Sequence, residues 1–363
     1  MHRALIGIGT VLAAFVAYLL WTILPVSGVF ADLKPRLVDQ CDRIAVAPGT
    51  EDVTIDHDSD LAFISAADRR NWYNETGESG AAPTNGIYIM DVKSPHSVRR
   101  VSPDMPDFLP HGISLWRGWG GEKRLFVVNH RTDGEFVEIF DVGEGGALTH
   151  LESVSFDAMT SPNDVLAVGP RQFYVTNDRG YEKGLMSVLE AYLALPFASL
   201  AYFDGSEGRI VRKGLVYANG VNQSPDGRTV YVAEFLKRRI SVLERDEQTG
   251  ALKPLKKIKV RTGPDNIEVA KDGALWVAGH SRVFDFLKHA KDPKAIAPSH
   301  VVRINPRTGE NKDLFIDTTG AINASSVGAV WDKTLIVGAV FDDHVMVCPM
   351  VEIFLRAPPT DVK

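Results

Sequence analysis

Hard oxygen donors recur ahead of short apolar runs in this sequence. Glu51, Asn163, Asn219, Asp265 and Asn266 combine carboxylates with side-chain amides and bring no sulfur. Such a set suits calcium better than zinc or copper, because carboxamides add oxygen ligands without piling up negative charge. Any one of them could be an ordinary turn former, since Asn and Asp favour turns. Five at equivalent places argue for a shared site. Asp52 and Asp164 each follow a candidate ligand directly. On an alternating strand that turns them to the opposite side, or deeper along the same channel. There they suit either a second, structural cation or a capping role. His111 and His130 are the candidates for proton transfer. If adjacent antiparallel strands bring them together, one imidazole can activate water while the other orients it or relays the proton. A lone histidine in a strand is more often structural, so the pairing carries the argument. Asp265 can act as a ligand, a general base or a nucleophile.

These residues need elements that converge, and a repeat supplies them. Six runs alternate apolar and aromatic residues after a turn: Leu61-Ala-Phe-Ile-Ser65, Leu125-Phe-Val-Val-Asn129, Phe173-Tyr-Val-Thr-Asn177, Val230-Tyr-Val-Ala-Glu234, Leu275-Trp-Val-Ala-Gly279 and Leu335-Ile-Val-Gly-Ala339. Turn signals such as Ser224-Pro-Asp-Gly227 precede several of them. About 10 to 14 residues before each run lies a strand that opens on polar residues: Glu51-Asp52, His111-Gly112, Asn163-Asp164, Asn219-Gly220, Asp265-Asn266 and Ser325-Ser326. Six units about 45 to 64 residues apart match four-stranded blades, so the sequence predicts an all-β, six-bladed propeller with a central calcium-binding channel. In that architecture the first strand of each blade lines the channel and the second runs antiparallel beside it. The starts of first strands and the ends of second strands then share one face. The second strands contribute His130, Asp178, Glu234 and His280 to it.

The rest of the chain bounds the setting. Residues 4–26 are almost wholly apolar, long enough to span a bilayer and preceded by His2 and Arg3. They read as an apolar helix, either a cleaved export signal or a retained membrane anchor. Both send the remainder across a membrane. Behind such a segment the two cysteines, Cys41 and Cys348, favour a disulfide that ties the chain ends of a circular fold. Closing so long a loop stabilises by roughly 5 kcal/mol on the chain-entropy model. Sequons at Asn74, Asn222 and Asn323 fit a secreted glycoprotein, although such triplets are common by chance. A net charge of −6 and pI near 5.9, without a basic run, exclude nucleic acid as a partner. The expected organisation is a signal or anchor over 1–30, a propeller over 31–354 and a tail over 355–363.

The motifs Gly49-Thr-Glu-Asp52, Pro110-His-Gly-Ile-Ser114, Val127-Val-Asn-His130, Pro162-Asn-Asp-Val165, Ala218-Asn-Gly220, Ser224-Pro-Asp-Gly227 and Asp265-Asn-Ile267 resemble the paraoxonase family in order and spacing, from about residue 30 to Cys348. The resemblance implies two calcium ions. Glu51, Asn163, Asn219, Asp265 and Asn266 would bind the catalytic one; Asp52, Asp164 and the carbonyl of Ile113 would bind the structural one. It further implies a His111–His130 dyad, a pocket lined by Asp178, Tyr217 and His280, a Cys41–Cys348 bridge, and hydrolysis of lactones, aryl esters and, weakly, organophosphate triesters. Two departures touch substrate preference: Arg179 follows Asp178 where mammalian members carry histidine, and 69–83 has little in common with their pocket wall. Residues 185–195 read as a short helix with Leu185, Val188, Leu189 and Tyr192 on one face. The family keeps such a helix near a lipid surface, and packing on the propeller is the plainer role.

Competing chemistries lack their motifs. There is no G-x-S-x-G elbow and no H-E-x-x-H, and the Asp56, Asp58, Asp60 spacing fails as an EF-hand at Leu61. A strictosidine-synthase-like propeller enzyme would need a glutamate base and no such ligand set. A non-catalytic, calcium-stabilised binding scaffold is the other alternative.

Overall fold

The structure, a computed structural model, describes residues 27–74, 83–181 and 183–350, with isolated positions before residue 27. The expected tail over 355–363 lies outside the described residues. So does much of the apolar segment 4–26, of which residues 16–18 are helical. Among the described residues no helix is long and apolar enough to cross a membrane.

Six sheets of four antiparallel strands form the propeller that the repeat predicts. Blade one comprises Thr50–Asp56, Leu61–Ala66, Gly86–Asp91 and Val98–Arg100, and the pattern recurs from inner strands Pro110–Arg117, Pro162–Ala167, Ala218–Gln223, Gly263–Val269 and Ser325–Trp331. Inner and second strands are buried on both faces, so they read as near-continuous apolar runs. Phe126, Val128, Phe173, Val175 and Phe203 interleave between blades two and three. Each such fully buried side chain contributes about 1.5–3 kcal/mol. Outer strands face water and carry charge instead: Leu252–Lys259 exposes Lys253, Lys256, Lys257 and Lys259, which discourages edge-to-edge pairing.

The ring closes by sharing. Asp42–Ala45, near the start of the chain, is the outermost strand of blade six and pairs with His344–Pro349. Cys41 and Cys348 are disulfide-bonded across this seam with a sequence separation of 307. The bond therefore fastens the one place where the ring has no covalent continuity.

Three helices, Arg69–Asn74, Leu185–Leu193 and Val283–Lys291, follow the second strands of blades one, three and five. They consequently sit on the axial face named above. In Leu185–Leu193 the apolar stripe does not pack on the propeller. Ser187 and Glu190 are buried, whereas Leu185, Val188 and Tyr192 are 73%, 51% and 63% exposed. Glu190 accepts hydrogen bonds from the backbone of Gly180 and Tyr181, so a polar contact docks this helix.

Cys41→Ser should lower stability by roughly 2–5 kcal/mol while leaving the six sheets intact. Thermal unfolding with and without reductant checks this. An unchanged midpoint for the variant would mean that strand pairing alone closes the ring.

Candidate active site

Every inner strand breaks register with its neighbour at the same height. The breaks fall between Thr50 and Asp52, Pro110 and Ile113, Pro162 and Val165, Ala218 and Val221, Pro264 and Ile267, and Ser325 and Val327. Inside them lie Glu51, His111, Asn163, Asp164, Asn219, Asp265, Asn266 and Ser326. A bulge removes residues from the ladder and re-aims their side chains. Two of these strands also open on proline, which has no ladder N–H to lose, and a third carries proline at its second position. Two bulges need glycine for close approach: a Cβ on Gly112 would stand 2.3 Å from Asp164 Oδ1, and one on Gly220 would stand 2.6 Å from the Asp265 carbonyl oxygen.

The oxygens so gathered are under-satisfied. Glu51 Oε2, Asn163 Oδ1, Asn219 Oδ1 and Asn266 Oδ1 are buried without a hydrogen-bond partner. Asn266 Nδ2 donates to Glu51 Oε1 at 2.9 Å, which fixes that amide with its oxygen free. Asp265 Oδ2 lies 2.8 Å from His280 Nε2. Leaving four acceptors unpaired in a protein interior costs about 1–3 kcal/mol each, so their concentration on one axis fits a bound cation. Among the described residues no three His, Cys, Asp or Glu side chains cluster closely enough to hold a metal. The set depends on its carboxamides.

Below them, Asp52 and Asp164 stitch blades together. Asp52 accepts from its neighbour Val53 N at 2.8 Å and from Ile113 N of blade two at 2.7 Å. Asp164 accepts from Val165 N at 2.7 Å and from Val221 N of blade four at 2.7 Å. Ile113 thus meets Asp52 through its amide nitrogen. Burial pushes the Asp52 carboxyl up to about 7 against these hydrogen bonds. Burial, and then the charge of Asp52, push Asp164 well above the usual carboxylate range. Glu51 is also raised well above it, by burial first, with the Arg69 guanidinium opposing and Asp265 and Asp52 adding to the rise.

His111 and His130 do meet. His111 Nδ1 is 2.8 Å from His130 Nε2, and His130 Nδ1 is 2.6 Å from Glu135 Oε2. His111 Nε2 remains on the ligand side, 3.8 Å from Glu51 Oε1. Burial, then the charges of Arg69 and His130, hold the His111 imidazole well below the usual histidine range. Glu135 escaped the sequence reading. The signal for it is the short hairpin between blade two's second and third strands, whose register sets His130 opposite Glu135.

Aromatic rings run beside the residues expected to line a pocket. Tyr217, at φ 50°, packs on Phe235, Phe235 meets the His280 ring edge-on, and His280 stacks on Phe286 at 4.1 Å. Phe286 in turn stacks on Phe341. Asp178 is buried and bonded to Ser161 Oγ and Arg179 Nε. Arg69 takes an unforeseen place. Its guanidinium is 3% exposed, donates to the carbonyls of Gly49 and Pro110, and stands 4.0 Å from Glu51 Oε2. Glu234, expected on the axial face, instead spends its carboxylate on Val216 N, Ser241 and Arg239 within blade four. Of the sequon asparagines, the Asn74 side chain lies outside the described residues. The Asn222 and Asn323 amides donate to the Ile267 carbonyl and to Asp342.

A family model, Arylesterase, matches residues 44–350. The chain belongs to the arylesterase family. Among its relatives, serum paraoxonase/arylesterase 2 of Rattus norvegicus is 34% identical over 82% of this chain and 84% of its own length. Serum paraoxonase/arylesterase 1 of Homo sapiens is 32% identical over 85% and 89%. As its family's name says, this arylesterase-family chain is a hydrolytic enzyme acting on small ester substrates. Solved structures share the fold at low identity. A luciferin-regenerating enzyme superposes with a TM-score of 0.53 at 15% identity, covering 87% of this chain and 95% of that one. A pyrroloquinoline-quinone-bound aldose sugar dehydrogenase from Streptomyces coelicolor gives 0.51 at 11%, covering 88% and 98%. A hydrolase family and a dehydrogenase share this architecture, so the fold by itself does not set the chemistry.

The raised carboxyls make a prediction for protein stripped of cations by EDTA. Between 3.8 and about 7, folded Asp52 keeps a proton that the unfolded chain has released. The contribution of this group to stability therefore falls as pH rises through that window, with Asp164 and Glu51 acting in the same direction and the depressed His111 imidazole opposing them below 6.5. Melting temperatures of the stripped protein should drop by several degrees between pH 5 and 8. A flat or rising profile would contradict the assignment.

Proposed function

We propose that this enzyme is a calcium-dependent hydrolase of lactones and aryl esters, with organophosphate triesters as minor substrates. The observation that carries the proposal is the row of unpaired buried oxygens beside a histidine relay. Glu51, Asn163, Asn219, Asp265 and Asn266 would hold the catalytic calcium. Asp52, Asp164 and the Ile113 carbonyl would hold a second, structural ion. The catalytic ion, when bound, polarises the ester carbonyl and stabilises charge developing on its oxygen.

The chain's own residues handle the proton. His111, kept neutral by burial, accepts a proton from water at Nε2, the nitrogen facing Glu51. Its Nδ1–H donates to His130 Nε2, and His130 Nδ1–H donates to Glu135. Charge arising on His111 is thereby spread toward a carboxylate two rings away. Asp265 is the alternative base. Its contact with His280 favours keeping that reading, because an imidazole partner can stabilise either protonation state of a carboxylate. Asp178, Tyr217 and His280 would contact substrate, beside the aromatic rings. The outward apolar stripe of Leu185, Val188 and Tyr192, with the apolar segment 4–26, supports a secreted or membrane-anchored enzyme that works at a lipid surface.

Hydrolysis of phenyl acetate and of γ- and δ-lactones, measured with calcium and after EGTA, tests this. Activity should vanish with EGTA and return with calcium. His111→Gln should lower the rate about 100-fold or more with calcium still bound. Full activity in EGTA would overturn the calcium reading, and an unchanged His111→Gln rate would transfer the base role to Asp265.

A further inference from the structure

Strand-end side chains fix the height of the bulges in blades two, three and four. The fifth residue of each apolar run is the tether: Asn129 accepts from Leu109 N at 2.8 Å, Asn177 from Thr160 N at 2.9 Å, and Glu234 from Val216 N at 3.1 Å. In blade five, Gly279 substitutes backbone contact, since a Cβ there would stand 2.0 Å from the Gly263 carbonyl oxygen. Blade six has Ala339 at this place and carries no candidate ligand. Blade one carries Glu51 but has neither device. Its equivalent residue is Ser65, fully buried, whose Oγ lacks a hydrogen-bond partner among the described residues.

Arg69, the first residue of the helix that follows this strand, takes over the role. Its Nη1 donates to the Gly49 carbonyl at 3.0 Å and its Nη2 to the Pro110 carbonyl at 2.6 Å. Gly49 stands two residues before Glu51, and Pro110 one residue before His111. One guanidinium therefore fastens the openings of two inner strands in adjacent blades. An asparagine has a single amide nitrogen to donate, whereas a guanidinium presents donors on separate nitrogens in a fixed plane.

The choice of a cation here is otherwise unfavourable. The Arg69 side chain is 3% exposed and stands 4.0 Å from Glu51 Oε2, one of the oxygens left unpartnered in the channel. A fixed positive charge at that distance opposes any cation bound to the same oxygen. Stability or calcium affinity alone would favour a neutral tether such as those of blades two and three. What the arginine adds is a link between the two strands.

We propose that Arg69 is a positioning residue of the hydrolytic reaction, holding the ligand Glu51 of blade one and the base His111 of blade two in register with each other. This rests on the reading of those two residues given above. A misplacement of about 1 Å in such a pair can cost about 100-fold in rate.

The test is steady-state hydrolysis of phenyl acetate at saturating calcium, with calcium titration by calorimetry. Both use full-length wild type, Arg69→Lys, Arg69→Gln, His111→Gln and the double variant Arg69→Lys/His111→Gln. Lysine keeps the charge but gathers its donors on one nitrogen, so it cannot hold both carbonyls as the fork does. Arg69→Lys should lower kcat at least tenfold with KM within threefold, and weaken one calcium-binding event severalfold. Arg69→Gln should lose at least as much kcat; should it not fold, Arg69→Lys carries the test. In the His111→Gln background, Arg69→Lys should lower kcat less than twofold further, because the base that it positions is gone. A kcat within twofold of wild type in Arg69→Lys, or a loss that multiplies fully with that of His111→Gln, would overturn the proposal and leave Arg69 a structural tether. A wild-type rate in His111→Gln would overturn the base reading and this proposal with it, a result distinct from a slow His111→Gln beside a normal Arg69→Lys.

Discussion

Uncompensated oxygen along one axis is the constraint from which the rest of this molecule follows. Glu51, Asp52, Asp164 and Asp265 are 2%, 3%, 4% and 4% exposed, and four oxygens of the same channel, Glu51 Oε2 and the Oδ1 atoms of Asn163, Asn219 and Asn266, lack any donor. Burial and mutual repulsion drive Glu51, Asp52 and Asp164 toward their protonated forms. A rigid frame must therefore hold them at that density. Six blades packed through Phe and Val side chains supply it, and the repeated bulge turns each strand's polar residues inward at a single height. Hydrogen bonds from Asp52 to blade two and from Asp164 to blade four make the same acids part of the frame.

Such a frame is only as firm as its seam. The shared sixth blade and the Cys41–Cys348 bond close the ring where the chain has two ends. The polar ends of second strands work to the same purpose. Asn129 accepts from Leu109 N, Asn177 from Thr160 N and Ser161 N, and Glu234 from Val216 N. Each tethers the segment that leads into an inner strand, and so fixes the height of a bulge. Neighbouring positions along the same strand ends, such as His130 and His280, are thereby freed to face the channel.

This division explains what could be read from residue order. The propeller was legible because each blade repeats a strand pattern, and the polar residues that the bulges gather were legible because each inner strand opens on them. The disulfide followed from two cysteines and a circular fold. Glu234 misled, because a strand-end carboxylate looks the same whether it tethers a loop or enters a pocket. Glu135, Arg69, Phe286 and Phe341 were missed for a common reason: they come from hairpins and helices that obey no repeat, and their positions depend on tertiary packing. Arg69 is the sharpest case, since burial of a guanidinium 4.0 Å from Glu51 has no local sequence signal. The helix Leu185–Leu193 shows the converse, with an apolar stripe that faces out because Glu190 has backbone partners within.

The account stands on cations neutralising the channel. Elemental analysis of the purified, full-length protein by plasma mass spectrometry addresses it most directly, before and after exhaustive chelation. Two calcium ions per chain, both removed with loss of thermal stability, is the predicted result. A chain that carries no divalent metal as purified, and whose melting temperature ignores added calcium and chelator alike, would contradict it.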